Sequence, residues 1–175
     1  MRFGSVGFTA DGSLLSRLVR WWTRSRWSHV FVYVGEVNGT PVILEANNGK
    51  VDIVRLDKYT TGDHVVEVYQ PNEGRPALIQ RGVYETMRQI EKPYGFAQAL
   101  GLIPVIAARR LLGLKIKNLS RRGIICSELA LRYLRCADPD GPWADMDADA
   151  SDPEDVREKL AQSDAFTIKT STRLI

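Results

Sequence analysis

The chain has 175 residues, 44% hydrophobic and 26% charged, which suits one soluble domain, residues 1–175, large enough to bury a core without staples. Its net charge of +3 conceals an asymmetry: residues 1–137 carry 20 Lys+Arg against 11 Asp+Glu, net +9, and residues 138–175 carry 4 against 10, net −6. Cys126 and Cys136 fall on one helical stretch, about 15 Å apart at ~1.5 Å rise per residue, which excludes a disulfide between them.

Free thiols suit a reducing compartment, and "MRFGSVGFTADGS" lacks the continuous apolar stretch of a secretory signal. The expectation is a protein that is cytoplasmic as synthesised. The most apolar window, residues 94–114, is interrupted by Gln98, Pro104, Arg109 and Arg110. That pattern favours a buried helix pair or an apolar flap over a membrane span.

In chain order, "DGSLLSRLVRWWTRS" spaces Leu14, Leu15, Leu18, Val19 and Trp22 as a helix does, with Asp11 or Ser13 able to cap its start. Arg17, Arg20, Arg24 and Arg26 make this region basic. Two readings follow: the oppositely charged halves pair with each other, or the basic face meets an anionic surface such as lipid headgroups or cell-wall polymer. No nucleic-acid motif is present. "SHVFVYVGE" and "TPVILEANN" flank Asn38-Gly39, a strong hairpin signal. "KVDIVRL" and "HVVEVYQP" add two more strands, so the first half predicts an antiparallel meander of about four strands. "RPALIQRGVYETMRQIE" predicts a helix ending before Pro93, and a further helix begins at Cys126. Asp145, Asp147 and Asp149 alternate as in a calcium loop, but Ala150 and Val156 stand where the turn glycine and closing Glu belong, and no metal or cofactor is expected. Asp152 and Pro153 open another helix, and "AFTIKTSTRLI" closes the chain as a strand.

A cysteine in the first turn of a helix sits near unpaired N–H groups and the positive end of the helix dipole, which favour thiolate. Cys126 is then a candidate nucleophile, needing an imidazole to accept its proton. Of the two histidines, His29 opens a strand, with Phe31 and Tyr33 on its face and Val30 and Val32 on the other. His64 follows the turn residues Gly62 and Asp63 and reads as a surface residue. Glu45, an acid in an otherwise apolar strand, can lie across the hairpin from His29 and orient it. Each also has a plain structural reading: Cys126 as core filler, His29 as a satisfied core residue, Glu45 as a solvent-facing acid. Cys136, deeper in its helix and without a nearby base, reads as packing.

Taken together, "SHVFVYVGEVNGTPVILEA", "KPYGF", "GIICSELALRYL" and "SDPEDVREKLAQSDAFTIK" resemble the permuted papain-like hydrolases of the YiiX/YaeF group. That group is part of the NlpC-type cell-wall peptidase superfamily and is related to the lecithin:retinol acyltransferase-like enzymes. The resemblance implies an α+β, circularly permuted papain-like fold, an antiparallel sheet or open barrel packed against the nucleophile helix. By position it makes Cys126 the nucleophile, His29 the base and acid, Glu45 the third member, and Tyr94 a residue lining the site or holding the oxyanion. Gly95 stands where the family commonly has an acid, and the stretch between Gly95 and Gly123 is unusually long and apolar. The implied reaction is amide hydrolysis through a thioester, with peptidoglycan stem peptides foremost. A lipid-directed acyltransferase or thioesterase is the alternative enzyme, and a non-catalytic binding module the alternative from another class. A cell-wall substrate for a protein without a visible signal implies delivery by lysis, a virus particle or a secretion machine.

Overall fold

The alternating apolar runs of the first half do form strands, but in a different order from the meander. The fold is taken from a computed structural model that describes residues 1–47, 49–93 and 124–173. Among these residues the strands are β1 (Val6–Ala10), β2 (His29–Val37), β3 (Thr40–Asn47), β4 (Lys50–Arg55), β5 (Val65–Pro71) and β6 (Phe166–Arg173). The helices are α1 (Leu14–Thr23), α2 (Pro76–Met87), α3 (Cys126–Ala137) and α4 (Pro153–Ala161). The strands make one open, wholly antiparallel sheet in the order β4-β3-β2-β1-β5-β6.

The meander holds from β2 to β4 and fails at β5, which pairs with β1 and β6 rather than with β4. β1 is the strand missing from the sequence pattern. All five of its residues are buried, so it lacks the polar/apolar alternation of a half-exposed strand, and Gly7 weakens its β signal further. The expected turn is present at Asn38-Gly39, where φ is 51° and 74°, the two positive values that a tight hairpin requires.

The period-2 pattern of β2 separates two apolar clusters. Val30, Val32 and Val34 join Leu44 and Ala46 in the larger one, with Leu129, Tyr133 and Leu134 of α3 and Val156 and Leu160 of α4. Phe31, Tyr33 and Ile43 form the second with Tyr59, Val66 and Val68. α3 packs against α2, β2 and β3. Leu129, Leu131 and Leu134 are at most 1% exposed, and burying each contributes about 1.5–3 kcal/mol. That packing determines where the N-terminus of α3, and with it Cys126, meets the sheet.

The remaining elements follow their local signals closely. Ser13 caps α1, accepting from the Ser16 N–H. Asp152 and Asp155 form a reciprocal capping box on α4, with Pro153 in its first turn. α2 stops at Met87, earlier than the periodicity suggests, and the chain turns back through Glu91 at φ 68° to pair with β4, Glu91 N–H donating to the Val51 carbonyl at 2.9 Å. In the acidic loop, Asp147 caps a short 3-10 turn by accepting from the Asp149 N–H. Its geometry is that of a chain turn, and among the described residues no group of three or more His, Cys, Asp or Glu is placed to hold a metal ion. Arg75 and Asp138 form an ion pair joining the basic and acidic parts of the chain. Among the described residues no helix is long and apolar enough to cross a membrane.

Candidate active site

The hairpin expected to carry His29 and Glu45 brings their side chains together. His29 begins β2, and Glu45 lies near the end of β3, brought alongside by the Val32–Leu44 register. His29 Nε2–H donates to Glu45 Oε2 at 2.9 Å. The imidazole keeps a narrow opening, with its side chain 12% exposed, whereas the Glu45 side chain is 3% exposed. A carboxylate so deeply placed needs compensation, and it has three donors. Besides His29, the Tyr59 hydroxyl donates to Oε2 at 2.5 Å and Lys58 Nζ to Oε1 at 2.6 Å.

Lys58 and Tyr59 were not legible as site residues. Both belong to the 3-10 turn Leu56–Tyr59, where no strand or helix period marks an inward-facing side chain. Only the fold of β4 into that turn carries them back over β3. Tyr59 is 4% exposed and lies flat on Phe31, with ring centroids 5.4 Å apart and planes at 4°. Phe31 in turn needs the space left by Gly7, its cross-strand partner on β1. A Cβ on Gly7 would fall 2.1 Å from Phe31 Cζ. His64, expected at the surface, is half-buried and packs edge-on against Tyr59 at 5.2 Å, with Thr9 Oγ1 3.4 Å from its Nδ1. It therefore supports the Glu45 side of the cluster.

α3 brings Cys126 to the same imidazole, close enough for its charge to act on His29. Cys126 is 7% exposed and is the first residue of the helix, whose first intrahelical bond runs from Leu129 N–H to the Ile125 carbonyl at 3.0 Å. The N–H groups of its opening turn thus lie at the positive end of the helix dipole. Cys126 and Cys136 are both free thiols. Ser127, next to the thiol, is turned inward, its hydroxyl donating to the Ser151 carbonyl at 2.7 Å.

Electrostatics bind the cluster together. Burial disfavours a charged His29, but Cys126 and then Glu45, by charge and by hydrogen bonding, outweigh it and raise the imidazole from 6.5 to about 9. Burial likewise opposes ionisation of Glu45, and its bonds to His29, Lys58 and Tyr59 overcome that, bringing it from 4.5 to about 2. Tyr59 is driven well above the usual phenol range by burial and by the adjacent Glu45 charge, so it remains a donor. Nε2 is committed to Glu45, which leaves Nδ1 as the ring nitrogen for the thiol. Tyr94 lies outside the described residues, as does the apolar window 94–114.

The family model for permuted papain-like amidase enzymes, YaeF/YiiX, C92 family, matches residues 2–100. The chain belongs to this family. The matched residues include His29 and Glu45, while Cys126 falls beyond them. Membership makes the protein a papain-like amidase by family, and the six-stranded antiparallel sheet with its helices is consistent with a YiiX-like fold. Among solved structures, the chain is similar to the crystal structure of metalloprotein yiiX from Escherichia coli O157:H7. The match has 16% identity and a TM-score of 0.52, and covers 98% of this chain and 97% of that one. The likeness bears on the fold alone. No curated protein matches the chain significantly.

Proposed function

We propose that this C92-family protein is a thiol amidase that uses Cys126, His29 and Glu45 as a triad. The observation that carries the reading is His29 bonded to a buried carboxylate, with the helix-terminal Cys126 acting electrostatically on the same imidazole. In this scheme His29 takes the Cys126 proton, and the sulfur attacks the amide carbonyl. The developing oxyanion is stabilised by the Cys126 N–H, with Tyr94 as the second donor implied by the resemblance. His29 then returns the proton to the leaving amine as the C–N bond breaks, giving a thioester. In the second half His29 deprotonates a water, which attacks the thioester. The products are a carboxylic acid and the regenerated thiol. Glu45 holds the imidazole in one tautomer and stabilises the imidazolium. Lys58 and Tyr59 hold Glu45 ionised and in place. The order of the chain, with the histidine hairpin before the cysteine helix, is that of the permuted papain-like arrangement.

Peptidoglycan stem peptides are the first substrate class to test, because the superfamily resemblance points there. A lipid-directed acyl transfer or thioester cleavage is the second reading, favoured by the exposed Leu14, Leu18 and Trp21 on α1. The deciding experiment measures iodoacetamide alkylation at neutral pH, site by site, together with cleavage of purified muropeptides. Cys126 should label at least tenfold faster than Cys136 and than Cys126 in unfolded protein, and Cys126→Ala should abolish cleavage. Equal labelling of the two thiols would remove the activated nucleophile, and turnover confined to acylated lipids would select the second reading.

A further inference from the structure

Among the side chains described on helix α1, two polar ones are buried and three large apolar ones are exposed, against the usual arrangement of a surface helix, in which apolar residues face the core and polar ones face water. Its polar Ser16 and Thr23 are buried, at 6% and 4% exposure, while Leu14 is 76%, Leu18 53% and Trp21 70% exposed. Leu14, Leu18 and Trp21 follow the i, i+4, i+7 spacing and so share one stripe. The buried polar groups are satisfied locally. The Ser16 hydroxyl donates to the Ser28 hydroxyl at 2.8 Å, and the Thr23 hydroxyl to the Val19 carbonyl at 2.8 Å. The outward apolar stripe is therefore not a consequence of a polar face needing water.

Beside the stripe, one side of the helix carries Arg17, with Arg24 just beyond its end, and both are exposed. Between Asp11 and Glu36 the sequence contains no Asp or Glu. An apolar stripe of Leu and Trp flanked by arginines, with no acid on the same stretch, is the pattern of a helix lying in the headgroup region of an anionic bilayer. A purely ionic partner would use the arginines but would leave the leucines in water.

We propose that α1 docks this protein onto anionic phospholipid bilayers, with Leu14, Leu18 and Trp21 at the headgroup–acyl boundary and Arg17 and Arg24 against lipid phosphates. α1 connects β1 to β2 at the end of the sheet where Thr9 pairs with His29, and the Ser16–Ser28 bond ties it to the residue next to the base. Docking on this face places the thiol site beside the lipid surface. The consequence for substrate class, an amide or acyl group presented at a membrane, rests on the thiol-amidase reading; the docking itself does not.

The test is co-flotation of the full-length protein with vesicles of phosphatidylcholine alone or with about one-third phosphatidylglycerol, using Cys126→Ala alongside the native chain so that binding is read separately from catalysis. Binding is expected only to the anionic vesicles, equally for both proteins, and weakened several-fold on raising salt from 0.1 to 0.5 M. The exposed double variant Leu14→Ser/Leu18→Ser should lose at least tenfold in binding while keeping its circular dichroism and melting temperature. Arg17→Glu/Arg24→Glu should do the same. Should the leucine variant misfold, quenching of tryptophan fluorescence by doxyl lipids that is present in the native chain and reduced in Trp21→Phe gives an independent reading, with Trp27 and Trp143 wholly buried. Absence of binding to anionic vesicles, equal binding to neutral ones, or binding unchanged in folded double variants would overturn the proposal. So would a solution dimer that Leu14→Ser/Leu18→Ser dissociates without any vesicle binding by the native chain, which would assign the stripe to a second copy.

Discussion

Replacing Glu45 by Gln keeps the shape of the side chain and removes its charge, and the outcome can be worked from the site. The fall of the carboxyl from 4.5 to about 2, at about 1.4 kcal/mol per pH unit, means that folding favours the ionised form by about 3 kcal/mol. At 3% side-chain exposure, little of this is lost to solvent screening. A depressed carboxyl contributes stability that is whole above 4.5 and fades as pH falls towards about 2. Glu45→Gln should therefore cost about 3 kcal/mol at pH 7 and about half that at pH 3, where the native carboxyl is largely protonated in the unfolded chain and only partly so in the folded one. The measurement is urea denaturation of both proteins at several pH values between 3 and 7. The substitution also strips His29 of a partner, so its imidazole should titrate below about 9 by NMR. A cost that does not change between pH 3 and pH 7, or one under about 0.5 kcal/mol, would refute the view that Glu45 is held ionised by the surrounding donors.

Two further substitutions probe the layers behind Glu45. Tyr59→Phe removes one of the three donors to Glu45 and should cost about 1–3 kcal/mol, moving the acid edge of stability to higher pH and lowering kcat more than it raises KM; an unaltered acid edge would show that the hydroxyl does not hold the carboxylate. Gly7→Ala puts a methyl 2.1 Å from Phe31 Cζ, so the ring must shift and release Tyr59 from its stack, at a cost of about 1–3 kcal/mol in urea denaturation; a variant as stable as the native chain would mean that the Phe31–Tyr59 stack is not constrained by β1. The histidine adds a pH effect of opposite sign in the native chain: because the folded imidazole is raised to about 9, its contribution is whole below 6.5 and is lost as pH rises through about 9. The melting temperature should fall across that interval, and His29→Gln should abolish this step.

The sequence by itself determined the features that depend on near neighbours. Ser13 and Asp152 cap helices because a side-chain oxygen can reach an N–H two or three residues on, and Asn38-Gly39 turns the hairpin because those residues tolerate positive φ. The same short range made the hairpin that carries His29 and Glu45 legible, since a two-residue turn folds β3 back onto β2, but it is the register shift between Tyr33 and Gly35 that puts Glu45 on the face of His29. What only the tertiary structure decided involves long chain separations. β1 entered the middle of the sheet without the alternation that marks a half-exposed strand, because both of its faces are covered, and its arrival separated β5 from β4. Lys58 and Tyr59 became partners of Glu45 through a turn whose side-chain directions no period encodes, and His64 moved from the expected surface to a place behind Tyr59. Cys126 could be read as a thiol at a helix start, but its meeting with His29, nearly a hundred residues earlier, depends on α3 packing its leucines against α2 and the sheet. Hydrophobic burial is not directional, so residue spacing alone could not specify which strand end that helix terminus would reach.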